Sequence, residues 1–257
     1  MLDRIFLGWR VFATGLSFAL FGLGGLLLRA LVFPLLSLCI VRQPARVRAA
    51  RATVRLSFRA FVGIMRALGV LRYEVRGMEK LARDGQLILA NHPTLIDTVF
   101  LMAFVRNADC IVKGGLWNNP FTRGPVRAAG YVCNDRGPEL VEDCIASLGA
   151  GGNLIVFPEG TRTPRDGQLA LKRGAANIAV RGARAVTPVL ISCDPPTLGK
   201  GDKWWHVPTR QASFRIDVGD DIGVERFIGP GVNEALAARR LTEYLQHYFM
   251  KEAQHHA

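Results

Sequence analysis

The sequence predicts an α/β fold: a single mixed, mostly parallel sheet flanked by helices, preceded by an N-terminal membrane-embedded helical segment. Three observations carry that expectation. From residue 70 onward, short apolar runs of strand length alternate with longer runs of helical period. The first 41 residues hold two uncharged apolar stretches. Between these regions lies a segment with seven arginines and no acid.

The first apolar stretch, Val11 to Leu28, has 18 residues, about the minimum for a span. After Arg29 comes the second, Ala30 to Val41, which is too short to cross alone. Residues 1–41 are therefore expected to be a membrane anchor, either one tilted span or a hairpin dipping into one leaflet. Gly22, Gly24, Gly25 and Pro34 favour bends, and so the hairpin. The apolar length, with no small-residue cleavage site before Arg42, argues against a removable signal peptide.

Residues 42–69 carry Arg42, Arg46, Arg48, Arg51, Arg55, Arg59 and Arg66. Val47, Val54, Phe58, Phe61, Met65 and Leu68 recur at helical spacing. The expectation is a basic amphipathic helix lying on anionic lipid, the alternative being a helix packed on the domain with solvated arginines. The arginines place this side of the membrane in the cytoplasm.

Residues 70–257 form the α/β domain. "LRYEVRG", "QLILAN", "CIVK", "GYVCN", "NLIVF", "AVTPVLI" and "ASFRIDVG" read as strands. "TLIDTVFLMAFV", "PELVEDCIASLGA" (with Pro138 at its start), "QLALKRGAANIAVRG" and "NEALAARRLTEYLQHYFMKEA" read as helices.

Net charge is +12, which suits nucleic acid or an anionic membrane surface. The clustering of arginine beside an apolar anchor, with no zinc finger or aromatic RNA-binding signature, favours lipid over nucleic acid. The five cysteines are scattered and lack C-x-x-C spacing, so they read as reduced core residues rather than disulfides or zinc ligands.

The chemistry centres on "LILANHPTLIDTVFL". Pro93 disfavours the α region for His92 and suits a first helical position, which sets Asp97 just over one turn into the helix. A carboxylate there can reach back to the imidazole, orient it and stabilise its protonated form. That is the logic of a general base with its orienting acid, lacking a protein nucleophile, so the base serves the substrate's own hydroxyl. An Asp near a helix start is also ordinary dipole chemistry. A second motif, "FPEGTRT", follows the strand "NLIVF": Pro158 ends the strand, Glu159 and Gly160 form a tight turn, and Arg162 offers a guanidinium fork suited to phosphate.

On these residues the chain resembles the glycerolipid O-acyltransferases typified by 1-acylglycerol-3-phosphate acyltransferase. Asn91, His92 and Asp97 match an N-H-x-x-x-x-D block, and Phe157 to Arg162 match F-P-E-G-T-R. Lys113, Leu116, Pro120 and Arg136 match an intervening block, Lys172 and Gly174 a later lysine-glycine pattern, and Pro188 a valine-proline strand. The likeness runs from about residue 70 to 220.

The resemblance implies that His92 takes the proton of an acceptor hydroxyl, which attacks an acyl thioester on coenzyme A or acyl carrier protein. Asp97 would orient His92. Asn91, Glu159, Gly160, Thr161 and Arg162 would help bind the acceptor, with Lys113 and Arg136 for its phosphate. Neither a metal nor a cofactor is implied beyond the acyl-CoA or acyl-ACP co-substrate. The implied acceptor is a lysophospholipid, 1-acylglycerol-3-phosphate first. Gly115 stands where the family has an acid, Arg123 where it has a glycine, and Pro93-Thr94 where it often has Gln-Ser. These departures lie near the acceptor side and keep open a different hydroxylated lipid of a specialised pathway. A membrane lipid-binding protein without catalysis is the alternative of another class. "LGKGDKWWHVPTRQ", Leu198 to Gln211, matches no motif; its Trp204 and Trp205 suit either a bilayer interface or core packing.

Overall fold

The computed structural model describes residues 2–118, 122–137, 139–164 and 169–255; Pro120 and Pro138 lie outside the described residues. The helices are α1 (Leu2–Leu27), α2 (Phe33–Cys39), α3 (Gln43–Ala67), α4 (Asp97–Phe104), α5 (Gly114–Asn118), α6 (Arg123–Ala128), α7 (Glu139–Gly149), α8 (Gly174–Arg181) and α9 (Glu234–His255). The strands are β1 (Leu71–Arg76), β2 (Leu87–Ala90), β3 (Ala108–Val112), β4 (Val132–Cys133), β5 (Asn153–Val156), β6 (Val186–Asp194) and β7 (Ala212–Val218).

The strands form one sheet in the order β1-β7-β6-β2-β5-β3-β4. Every neighbouring pair is parallel except β6 with β7. β2 and β5 are buried along their whole length, as centre strands covered on both faces must be. Their side chains alternate between two cores. Ile88, Ala90 and Ile155 join the core beneath α3 and α4, while Leu87, Leu89, Leu154 and Val156 join the one beneath α7, α8 and α9. Each of the leucine, isoleucine and valine side chains among them contributes about 1.5–3 kcal/mol by leaving water.

Of the two forms expected for the N-terminal segment, one tilted helix or a hairpin, the structure shows no hairpin within residues 2–39. The helix continues from α1 through a π-helical turn, Leu28–Val32, into α2. Pro34 lacks the N–H that an α-helix would offer to the preceding turn, and the wider π register just before it takes up the misfit. The chain turns back only after Cys39, so the partner of the apolar helix is α3 itself. Trp9 Nε1 donates to the Leu68 carbonyl at 3.0 Å, and Phe21 stands against Phe58 and Phe61, so the two run antiparallel. Phe6–Cys39 is long and apolar enough to cross a membrane.

The apolar face of α3 is turned to protein rather than lipid. Val54, Phe61, Val62 and Met65 are buried in the core shared with α4. Arg51 is also buried: it donates to Asp109 Oδ2 at 2.7 Å and to the Ala129 carbonyl at 2.8 Å. It ties α3 to β3 and cannot face lipid. Arg42, Arg48, Arg59 and Arg66 remain exposed. Of the cysteines, Cys144 is a core residue but Cys39 is exposed on α2.

Two helical expectations shift. Gln168, the expected start of the helix after the Glu159 motif, lies outside the described residues, and from 169 onward the chain becomes helical at Gly174; the helix after Pro93 begins at Asp97.

Candidate active site

Parallel pairing brings the two motifs together. Leu89 of β2 is the register partner of Val156 of β5. His92 and Glu159 each follow three residues later, so they leave the sheet at the same height on adjacent strand ends. The carboxyl ends of parallel strands are where α/β folds place ligands.

Asp97 sits at the helix start, not a turn inside it, because its carboxylate builds the turn that precedes the helix. The Thr94 amide donates to Asp97 Oδ2 at 2.6 Å, and the Thr94 hydroxyl donates to Oδ1. These bonds close the turn ahead of α4, whose own N-cap, Ile96, carries no side-chain bond. Oδ2 also accepts from His92 Nδ1 at 2.9 Å. With Nδ1–H committed to the carboxylate, Nε2 is the basic nitrogen. Asp97 is fully buried and the His92 side chain is 17% exposed. Burial raises the Asp97 carboxyl above its ordinary value, against the opposing hydrogen bonds from His92 and Thr94. The imidazole is further fixed by stacking on Phe157, with centroids 4.2 Å apart.

Glu159 is buried too, and its Oε1 accepts from the His92 amide at 2.9 Å and from the Thr163 hydroxyl at 2.8 Å. The Thr163 amide returns a bond to the His92 carbonyl at 2.7 Å. Glu159 thus grips the backbone of the histidine; burial raises its carboxyl, opposed first by the Thr163 hydrogen bond. Gly160 closes the turn at φ +68°, and a Cβ there would stand 2.8 Å from Lys172 Nζ, so the lysine lies across the turn. Thr161 is exposed beside it.

The remaining predicted residues divide. Asn91 is spent on the sheet: its amide donates to the Ile191 carbonyl at 2.9 Å and accepts the Ile191 N–H at 2.7 Å. Arg162 is half-buried, and its Nη1 donates to the carbonyls of Leu198 at 3.0 Å and Gly199 at 2.7 Å. Lys113 is exposed at the end of β3, on the same rim of the sheet. Arg136 lies beyond the edge strand β4, exposed and ion-paired with Glu139 and Asp143, each at 2.9 Å. Gly115 has open space around it, so packing does not exclude an acid there. Gly124 lets α6 approach the π-helical turn, where its Cβ would meet Arg29 at 3.2 Å.

Three contributors were not singled out from sequence: Thr94, Phe157 as a stacking partner, and Thr163. The Thr94-x-x-Asp97 spacing is a sequence signal for the first. The other two depend on the strand register.

The family model described as Acyltransferase matches residues 72–192. A 1-acyl-sn-glycerol-3-phosphate acyltransferase of Helicobacter pylori is 30% identical over 172 residues, which are 63% of this chain and 70% of that protein. The enzyme of that name from Pseudomonas aeruginosa is 30% identical over 134 residues, 50% of this chain; the match spans about half of that relative's length, 52%. The crystal structure of the 1-acyl-sn-glycerophosphate acyltransferase PlsC from Thermotoga maritima superposes with a TM-score of 0.70 at 20% identity, covering 98% of each chain, a likeness of fold. The fold is that of an acyltransferase. The chain belongs to the glycerolipid O-acyltransferase family typified by 1-acylglycerol-3-phosphate acyltransferase.

Proposed function

We propose that this protein is a membrane-associated O-acyltransferase. It moves an acyl chain from acyl-CoA or acyl-ACP to a hydroxyl of a lysophospholipid, 1-acylglycerol-3-phosphate first. The observation that carries the reading is the 2.9 Å bond from His92 Nδ1 to a wholly buried Asp97, which leaves Nε2 as the base.

In this reading Nε2 takes the acceptor hydroxyl's proton as its oxygen attacks the thioester carbonyl carbon. The tetrahedral intermediate collapses, the C–S bond breaks, and the imidazolium returns the proton to the leaving thiolate. Asp97 stabilises the imidazolium between the two transfers. Glu159 acts on the His92 backbone as a positioning group. Lys113, Lys172 and Arg162 supply positive charge for the acceptor phosphate; Arg136, already held by two carboxylates, is a weaker candidate.

The placement of α1 and α2 supports association with one leaflet. Trp9 near one end and Phe33 near the other both contact the same domain, through α3 and the core beneath it. A helix held along its length in this way lies beside the domain instead of projecting from it across a bilayer. The exposed arginines of α3 support a cytoplasmic face.

The test is transfer of labelled acyl chains, from acyl-CoA and from acyl-ACP, to a panel of lysolipids by the purified protein and by His92→Ala. Transfer to lysophosphatidate that H92A lowers about 10²–10⁴-fold supports the reading. Full transfer by H92A refutes the mechanism. Transfer only to another lipid moves the acceptor, and no transfer to any lipid refutes the activity.

A further inference from the structure

Beyond Gly199, the segment Leu198–Gln211 between β6 and β7 has no task in acyl transfer as described. Its inner end belongs to the site: the Leu198 carbonyl accepts from the Leu95 amide at 3.0 Å as well as from Arg162. Its outer end lies on α1. The Trp204 ring stands over Gly15 and 6.0 Å from the Phe18 ring, and the Arg10 guanidinium donates to the Thr209 carbonyl.

Despite these contacts, Trp204 and Trp205 are 43% and 47% exposed. Two adjoining indoles left nearly half in water forgo burial that either would gain inside a core. Trp205, His206 and Pro208 form, with Leu7 and Val11 of α1, an open groove of about 430 Å³. Val11 is itself exposed in this groove, and α1 also exposes Trp9, Phe12 and Leu16 elsewhere round its surface. Lys200, Lys203 and Arg210 are exposed on the same segment, and Lys203 Nζ sits 5.3 Å from the Trp205 ring centre. The segment's acid, Asp202, is half-buried at the lining of this groove, where it accepts the Gly199 amide at 2.8 Å. Exposed indoles with lysines on the same segment, set against an apolar helix, match the headgroup layer of an anionic membrane.

We propose that Leu198–Arg210 is a second lipid-docking surface, which seats Trp205 in the headgroup layer of an anionic bilayer beside α1, with Lys200 and Lys203 on lipid phosphates. This rests on the reading of α1 as a lipid-immersed helix. Because the same segment holds Arg162, docking sets the candidate active site at headgroup depth.

The experiment uses the full chain in vesicles of phosphatidylcholine, with and without phosphatidylglycerol, carrying phospholipid brominated near the headgroup. Trp205 emission is the difference between the protein and Trp205→Phe; Trp9 emission is obtained in the same way with Trp9→Phe. Trp205 is expected to be quenched in the anionic vesicles and released by high salt. Lys200→Gln and Lys203→Gln should each weaken docking of the segment about fivefold, leaving Trp9 quenched. Quenching at Trp9 with none at Trp205 overturns the proposal and leaves the α1 reading standing. Absence of quenching at both overturns the two together. Shielding of Trp205 that depends on protein concentration and ignores the lipid assigns the face to a second copy and also overturns the proposal.

Discussion

The His92 amide donates to Glu159 Oε1 at 2.9 Å, so two residues 67 positions apart in sequence are one hydrogen bond apart in space. The bond exists because β2 and β5 pair in parallel with Leu89 opposite Val156. It makes the glutamate of the second motif a support for the histidine of the first.

Glu159→Ala is therefore expected to cost about 1–3 kcal/mol of stability by removing a buried acceptor. It should lower kcat more than it raises KM for the acceptor. Glu159→Gln retains an oxygen for the His92 amide and should keep more activity than the alanine variant. Denaturation and steady-state kinetics on both variants check this; a pure rise in KM would assign Glu159 to substrate binding instead.

Asp97→Asn separates activity from stability. The native Asp97 holds its proton more tightly than the unfolded chain does, because burial raises its carboxyl. Its ionisation therefore weakens the fold as pH climbs from the ordinary carboxylate range through the raised value. Asparagine removes that cost but no longer holds His92 in the basic tautomer. The expected result is a fall in kcat of about 10²–10⁴-fold with a Tm at neutral pH equal to or above that of the native chain. The Tm advantage should shrink as the pH is lowered toward the ordinary carboxylate range.

Arg162→Ala frees the Leu198 and Gly199 carbonyls as well as removing a cation. Loss of a charged donor from two carbonyls is worth about 1.5–3 kcal/mol, or roughly ten- to a hundredfold in kcat/KM. The KM for a phosphorylated acceptor should rise more than that for a neutral one. An equal effect on both acceptors would restrict Arg162 to holding the loop.

Asp109→Ala leaves the Arg51 charge buried without its carboxylate. Breaking such a pair from one side costs about 3–5 kcal/mol, whereas Arg51→Met with Asp109→Leu should cost much less. Thermal denaturation of the single and double variants gives the comparison. Equal losses in both would mean that packing, not the stranded charge, sets the cost.

The sheet and its longer helices were legible from residue 70 onward because periodicity is local, whereas the short α5 and α6 carry no such period and were not read. "QLILAN" and "NLIVF" are too apolar and too short to be anything but buried strands, and α9 shows its helical stripe plainly. The motifs were legible for the same reason, since His92, Asp97, Glu159 and Arg162 lie in short stretches of rare composition. Less visible was what each side chain touches. Asn91 reads like a site residue and is held by β6. Arg136 reads like a phosphate ligand and is held by Glu139 and Asp143.

Composition and spacing alone determined an apolar front, a basic helix behind it and a histidine with an aspartate at a strand-to-helix junction. Tertiary structure decided which side of α3 faces inward, sending Arg51 to Asp109 and Val54 to the core. It also moved the start of α4 to Asp97, joined Glu159 to the His92 backbone, and laid Trp204 on α1. The physical reason is common to all of these. Hydrophobic period and turn chemistry act within a few residues of the chain, whereas burial, strand register and the partner of a charge are set by what the rest of the chain places opposite.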